Sequence, residues 1–197
     1  DPAPYREELQ ALQREFGARI NCLVTEPYLG GGGSYHPPPE YLQLLGEWCD
    51  RHDVAFILDE VQSNFGRTGT MYAFEKYGVE PDIVCLGKGV GNGVPVSAAV
   101  GRSDLMASLQ YGEGSDTWSA NPLACAAVLA TLDEFGTGDV LENTIRLNEI
   151  FVERLLKLKE TGLVSKVRGE GMVFGVECAS AANLPSTDVA NDVVKTC

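Results

Sequence analysis

Apolar and polar positions along this chain follow two rhythms, one helical and one continuous. Leu9, Leu12 and Phe16 recur at helical spacing within residues 5–16, and Gly17 follows as a stop, which predicts a helix. A short apolar run, residues 20–25, then ends at Glu26; a second, residues 54–58, ends at Asp59. A third, residues 83–86, leads into the turn Leu86-Gly87-Lys88-Gly89. Residues 28–39 are too rich in glycine and proline for regular structure, and Tyr41, Leu42, Leu45, Trp48 and Cys49 then return at helical intervals. A shorter helix over residues 71–77 stops at Gly78, and residues 96–100 read as a further strand. Apolar strands alternating with crossover helices predict an α/β architecture, a mostly parallel sheet of at least four strands covered on both faces by helices.

The rest of the chain changes character. Asn121-Pro122 predicts an N-cap followed by proline at the first helical position, opening an alanine-rich helix over residues 123–135. Leu141, Leu147, Phe151, Leu155 and Leu158 define a second helix over residues 140–159. Residues 164–168 and 172–178, separated by Gly169-Glu170-Gly171, read as paired strands, and a helix begins near Ser186 and Thr187. The expected division is residues 1–137 as part of a large domain, 138–160 as a connecting helix, and 161–197 as the start of a small α+β domain.

Composition narrows the function. The 15 Lys and Arg against 28 Asp and Glu give a net charge of −13, which argues against nucleic acid and anionic membrane as partners. Cys22, Cys49, Cys85, Cys125, Cys178 and Cys197 lie in apolar segments without paired spacing, so free buried thiols in a reducing, cytoplasmic setting are expected. His36 and His52 are not at ligand spacing, so no metal site is expected. No apolar stretch reaches membrane-spanning length, and Asp1-Pro2-Ala3-Pro4 has no signal-peptide character. Without an initiator methionine, the chain reads as a piece of something longer.

Three strands thus end in ionisable residues, Glu26, Asp59 and Lys88, along the carboxyl edge of a sheet where α/β proteins bind ligands. Glycines 87, 89, 91 and 93 do not form a nucleotide loop: Gly89 breaks the Gly-Lys-Ser/Thr order, and Gly-x-Gly-x-x-Gly fails in every frame. An isolated lysine in a turn is commonly just solvated, and an isolated strand-end acid is commonly satisfied by backbone N–H groups. An amine together with a carboxylate at such an edge is what pyridoxal phosphate requires, one for the Schiff base and one for the ring nitrogen.

The segment Asp59-Glu60-Val61-Gln62-Ser63-Asn64-Phe65-Gly66-Arg67-Thr68-Gly69, with Pro81-Asp82-Ile83-Val84-Cys85-Leu86-Gly87-Lys88-Gly89 downstream, closely resembles the class III (ω-amino acid) aminotransferases of pyridoxal phosphate fold type I. Thr25-Glu26-Pro27, the helix opening Asn121-Pro122-Leu123-Ala124-Cys125-Ala126-Ala127, and Val167-Arg168-Gly169-Glu170-Gly171 extend the resemblance over nearly the whole chain. It implies that Lys88 carries the cofactor, Asp59 pairs with the pyridinium nitrogen, Val61 packs on the ring, and Gln62 lies near its phenolic oxygen. Thr117 matches a residue that binds the cofactor phosphate of the neighbouring subunit, which implies a homodimer. Glu26 matches a glutamate that meets a substrate-binding arginine, or else is a structural strand-end acid. The implied reaction moves an amino group from an amino acid or ω-amine donor to a 2-oxo acid. Aminomutases, racemases and decarboxylases on the same scaffold, and a non-catalytic module, are the alternatives. Asn64 departs from the glycine usual in the family. The family's upstream phosphate turn, ring-stacking aromatic and downstream substrate arginine have no counterpart here, so the chain corresponds to the central part of the enzyme.

Overall fold

A computed structural model of the chain describes residues 2–181 and 184–197; Asp1, Ala182 and Asn183 lie outside the description. Helix α1 (Ala3–Phe16) leads to β1 (Cys22–Thr25), α2 (Pro39–His52) to β2 (Ala55–Asp59), and α3 (Ala73–Tyr77) to β3 (Ile83–Leu86). A 3-10 turn, Lys88–Gly91, follows β3, and β4 (Ala98–Gly101) completes the sheet in the order β1-β2-β3-β4. The first three strands are parallel, with Thr25 level with Leu58 and Asp59 level with Cys85. β4 begins two residues later than its apolar pattern suggests and runs antiparallel, pairing Leu86 with Ala98. The reason is topological: a parallel neighbour needs a helical crossover, and only a short glycine turn separates β3 from β4.

Helices α1 to α3 cover one sheet face, where Leu9, Leu42, Leu45, Trp48, Phe56, Leu58 and Tyr77 form the core. Burying each large apolar side chain there contributes about 1.5–3 kcal/mol. Within this chain the opposite face is not covered to the same depth: Cys22 and Val24 are exposed and Cys85 is half-buried. The expectation of buried thiols is corrected accordingly. All six cysteines are free, but Cys49 alone is buried, while Cys22, Cys125 and Cys197 are exposed, because their apolar segments face outward from this chain. Burial pushes the Cys49 thiol up to about 12, so it is inert.

Beyond the sheet, α4 (Ser103–Met106) precedes α5 (Pro122–Thr137), whose Asn121 cap accepts the Ala124 N–H at 2.9 Å. Helix α6 (Val140–Lys157) returns to an antiparallel hairpin, β5 (Val164–Glu170) and β6 (Val173–Cys178), and α7 (Ser186–Thr196) closes the described chain. The hairpin docks on the first half of the molecule. Arg168 Nε donates to the Gly33 carbonyl at 3.0 Å and the Met172 N–H to the Arg67 carbonyl at 2.8 Å. Phe174 stacks on Phe151 of α6. A side chain at Gly171 would meet the Arg67 carbonyl at 2.2 Å, and Gly171 holds a φ of +59°, so glycine is required twice over.

Candidate functional site at the carboxyl edge of the sheet

Because β1, β2 and β3 are parallel, the residues that follow them emerge at one edge. Asp59 ends β2, and its Oδ1 accepts the Val61 N–H at 3.0 Å; Oδ2 makes no hydrogen bond among the described residues. The strand-end reading of this acid is therefore half satisfied, and one oxygen remains for another donor. Val61 packs against Gly87: a side chain at 87 would come within 3.1 Å of Val61 Cγ1. Asp59, Val61 and the turn bearing Lys88 thus form one continuous patch.

Lys88 has a φ of +46°, in the left-handed region that an L residue with a long side chain seldom adopts, at a cost of about 1–2 kcal/mol. Buried Leu86 and Gly87 precede it and buried Val90 follows, while Lys88 itself is exposed. Its amine makes no ion pair or hydrogen bond among the described residues, and it lines a cavity of about 1060 Å³ with Val94, Pro95, Trp118, Asn121 and Ala124. Asp59 is not part of that lining.

Gln62 and Glu26 meet at Gly30. The Gly30 N–H donates to Glu26 Oε2 at 3.0 Å, and the Gln62 side chain fills the space that a side chain at 30 would occupy. Glu26 meets no arginine among the described residues; its carboxylate accepts the Gly30 N–H and so fixes the start of the glycine loop. Beneath them Tyr28, 1% exposed, donates its hydroxyl to the Gln62 carbonyl, and burial drives its pKa upward. Thr117 stands apart. It lies exposed in the turn between α4 and α5, where its neighbours Asp116, Trp118 and Ser119 line the cavity.

The structure gives contacts to residues for which sequence reasoning assigned no role. Glu60 is fully buried and accepts from the Ala73 and Phe74 N–H groups and from Ser63 Oγ, so it caps α3 from across the loop. Burial raises its pKa, with the three donors pulling the other way. Asn64, 3% exposed, donates from Nδ2 to the Gly87 carbonyl at 3.2 Å. Glu170 gathers His36, Tyr77 and Lys76 where the hairpin meets α3. Burial opposes ionisation of Glu170, but hydrogen bonds from His36 and Lys76 and the Lys76 charge hold it at about 2. Adjacency to Asp59 was the one signal for Glu60. For Asn64 and Glu170 the partners are distant in sequence, and no local pattern reveals them.

Similarity to known proteins bears on the whole arrangement. The family pattern of class III aminotransferases matches residues 2–195. An acetylornithine aminotransferase of Methanocaldococcus jannaschii is 36% identical over 171 residues, covering 86% of this chain and 43% of that protein. The crystal structure of an acetylornithine aminotransferase from Elizabethkingia anophelis superposes with a TM-score of 0.81 at 33% identity, over 89% of this chain and 44% of that one. The ornithine aminotransferase of Toxoplasma gondii, described with partial occupancy of pyridoxal phosphate at its active site, gives 0.80 at 33% identity, over 86% of this chain and 41% of that one. This chain therefore spans less than half the length of the relatives it matches. With an amine and a half-satisfied acid on one parallel edge, the family match over residues 2–195 and the 36% identity across 86% of the chain place it in the class III aminotransferase family.

Proposed function

We propose that the protein to which this chain belongs is a pyridoxal phosphate-dependent aminotransferase that moves an amino group from an amino acid or ω-amine donor to a 2-oxo acid. One observation carries the reading: Lys88, strained and without an ion pair among the described residues, shares the sheet edge with Asp59, whose Oδ2 has no hydrogen-bond partner among them. The donor set fits the cofactor, with an amine for its aldehyde, an acid for its ring nitrogen and the branched Val61 against the turn. When bound, pyridoxal phosphate supplies that aldehyde together with a ring able to accept electrons from the substrate carbon. Lys88 Nζ would hold the cofactor until the substrate's own amine takes its place, and the amine so freed would carry a proton from the substrate carbon as base and return it as acid. Asp59 would keep the ring nitrogen protonated, and the Gln62 amide would supply a donor for the phenolic oxygen.

The large domain at residues 1–137, the connecting helix at 138–160 and the start of a small domain at 161–197 belong to the same proposal. So does a homodimer in which Thr117 completes the phosphate site of the other subunit. Trp118, 79% exposed, and Leu123, 70% exposed, flank that position and supply apolar surface for a second copy. A cytoplasmic location is supported by six unpaired cysteines.

The test uses the full-length holoprotein. Borohydride reduction followed by peptide mass spectrometry is expected to find the pyridoxyl group on Lys88, and a tag on another lysine would sink the reading. Turnover that requires a 2-oxo acid acceptor separates transamination from racemisation or decarboxylation.

A further inference from the structure

We propose that Asn64 is a positioning residue for Lys88: one buried amide holds the carbonyl before the lysine and packs against the glycine after it, so the turn is gripped on both sides. The inference rests on Lys88 being the cofactor amine, and it begins with a problem of backbone strain. A lysine at φ +46° stays there only if its surroundings over-determine the turn. Backbone bonding supplies part of the restraint, since the Val90 N–H donates to the Gly87 carbonyl at 3.2 Å and the Asn92 N–H to the Gly89 carbonyl at 3.1 Å. Asn64 Nδ2 brings a second donor to the Gly87 carbonyl at 3.2 Å, filling its remaining lone pair.

The other half of the amide faces Gly89. A side chain at 89 would lie 3.1 Å from Asn64 Oδ1 and 3.1 Å from Phe65 Cβ, so the Asn64-Phe65 segment sits flush against the turn. Asn64 Oδ1 is buried and has no hydrogen-bond partner among the described residues. Turning the amide over would set that oxygen against the Gly87 carbonyl oxygen, so the carbonyl dictates the orientation. An unpaired buried acceptor is a feature that stability alone does not favour. Asn64 is itself anchored, its N–H donating to the Glu60 carbonyl at 2.9 Å, while the Glu60 N–H donates to the Cys85 carbonyl at 3.0 Å. The brace therefore runs from β3 through Glu60 and Asn64 back to the turn that leaves β3.

Two substitutions in the full-length protein test this. Asn64→Asp keeps the shape and removes the donor; Asn64→Ala removes both halves and introduces no charge. Hydrogen–deuterium exchange on the apoprotein is expected to quicken about tenfold or more at the Val90 and Asn92 amides, while β2 stays within about twofold. In the holoprotein, the pH midpoint of the bound cofactor's absorbance is expected to move by about half a unit or more in both variants. Unchanged exchange at residues 87–92, or a rise that β2 shares, overturns the brace. Faster local exchange with an unmoved midpoint overturns the positioning role and leaves a packing residue. Failure of the Lys88 reading shows separately, as a pyridoxyl tag on a different lysine.

Discussion

Strain and buried charge decide most of what happens at single residues. Lys88→Gly and Lys88→Ala both remove the amine, yet glycine accepts a φ of +46° and alanine does not. The glycine variant of the full-length apoprotein is expected to be more stable than the alanine variant by about 1 kcal/mol in denaturant unfolding. Equal stabilities would mean that the turn relaxes once the side chain is gone. Glu60 presents the opposite case, a buried acid whose worth lies in the donors it satisfies. Glu60→Ala strands the Ala73 and Phe74 N–H groups and Ser63 Oγ, and should cost about 3 kcal/mol or more. Glu60→Gln keeps one carbonyl oxygen for those donors and should cost roughly half as much. An alanine variant within about 1 kcal/mol of the parent would show that water replaces the carboxylate.

Among elements, the joint between the β5-β6 hairpin and α3 is held by charge. Glu170 Oε1 lies 3.1 Å from His36 Nδ1 and accepts the Tyr77 hydroxyl at 3.2 Å, and Oε2 pairs with Lys76. The Nδ1–H form of His36 serves this contact and leaves Nε2 to accept from Ser34 Oγ. A carboxyl held at about 2 against an ordinary 4.5 binds its proton less tightly in the folded protein. Its contribution is therefore complete above pH 4.5 and is lost as pH falls from there through about 2. Glu170→Gln should cost about 1–2 kcal/mol at neutral pH, with the gap to the parent closing over that acidic window. A gap that stays constant with pH would assign the loss to packing. Gly171→Ala should undock the hairpin at any pH, because its methyl group would overlap the Arg67 carbonyl. Faster exchange confined to residues 164–178 is the expected sign.

For the molecule as a whole, the proposed homodimer is tested at Thr117 and α5. Leu123 and Leu129 of α5 are 70% and 62% exposed, and Thr117 lies in the turn that leads to that helix. Mixing full-length Lys88→Ala with full-length Thr117→Ala should form heterodimers with one doubly defective and one intact site. Activity recovered on mixing would support sharing of residues between subunits. No recovery, with heterodimers shown by native mass spectrometry, would confine Thr117 to its own subunit.

The sequence by itself determined the strands, their order as chain segments, and the edge at which Glu26, Asp59 and Lys88 emerge. Residues 83–86 form β3 as their apolar run indicates, and the N-cap and proline at Asn121-Pro122 open α5 where local chemistry requires. Such features depend on neighbours in the chain, so spacing and residue type suffice. Tertiary structure decided the rest. The direction of β4, the exposure of five of the six cysteines to varying degrees and the capping of α3 by Glu60 depend on which segments pack together. Asn64 shows the limit most clearly: its identity is plain in the chain, but its hold on Gly87 exists only because folding brings together residues that are 23 apart.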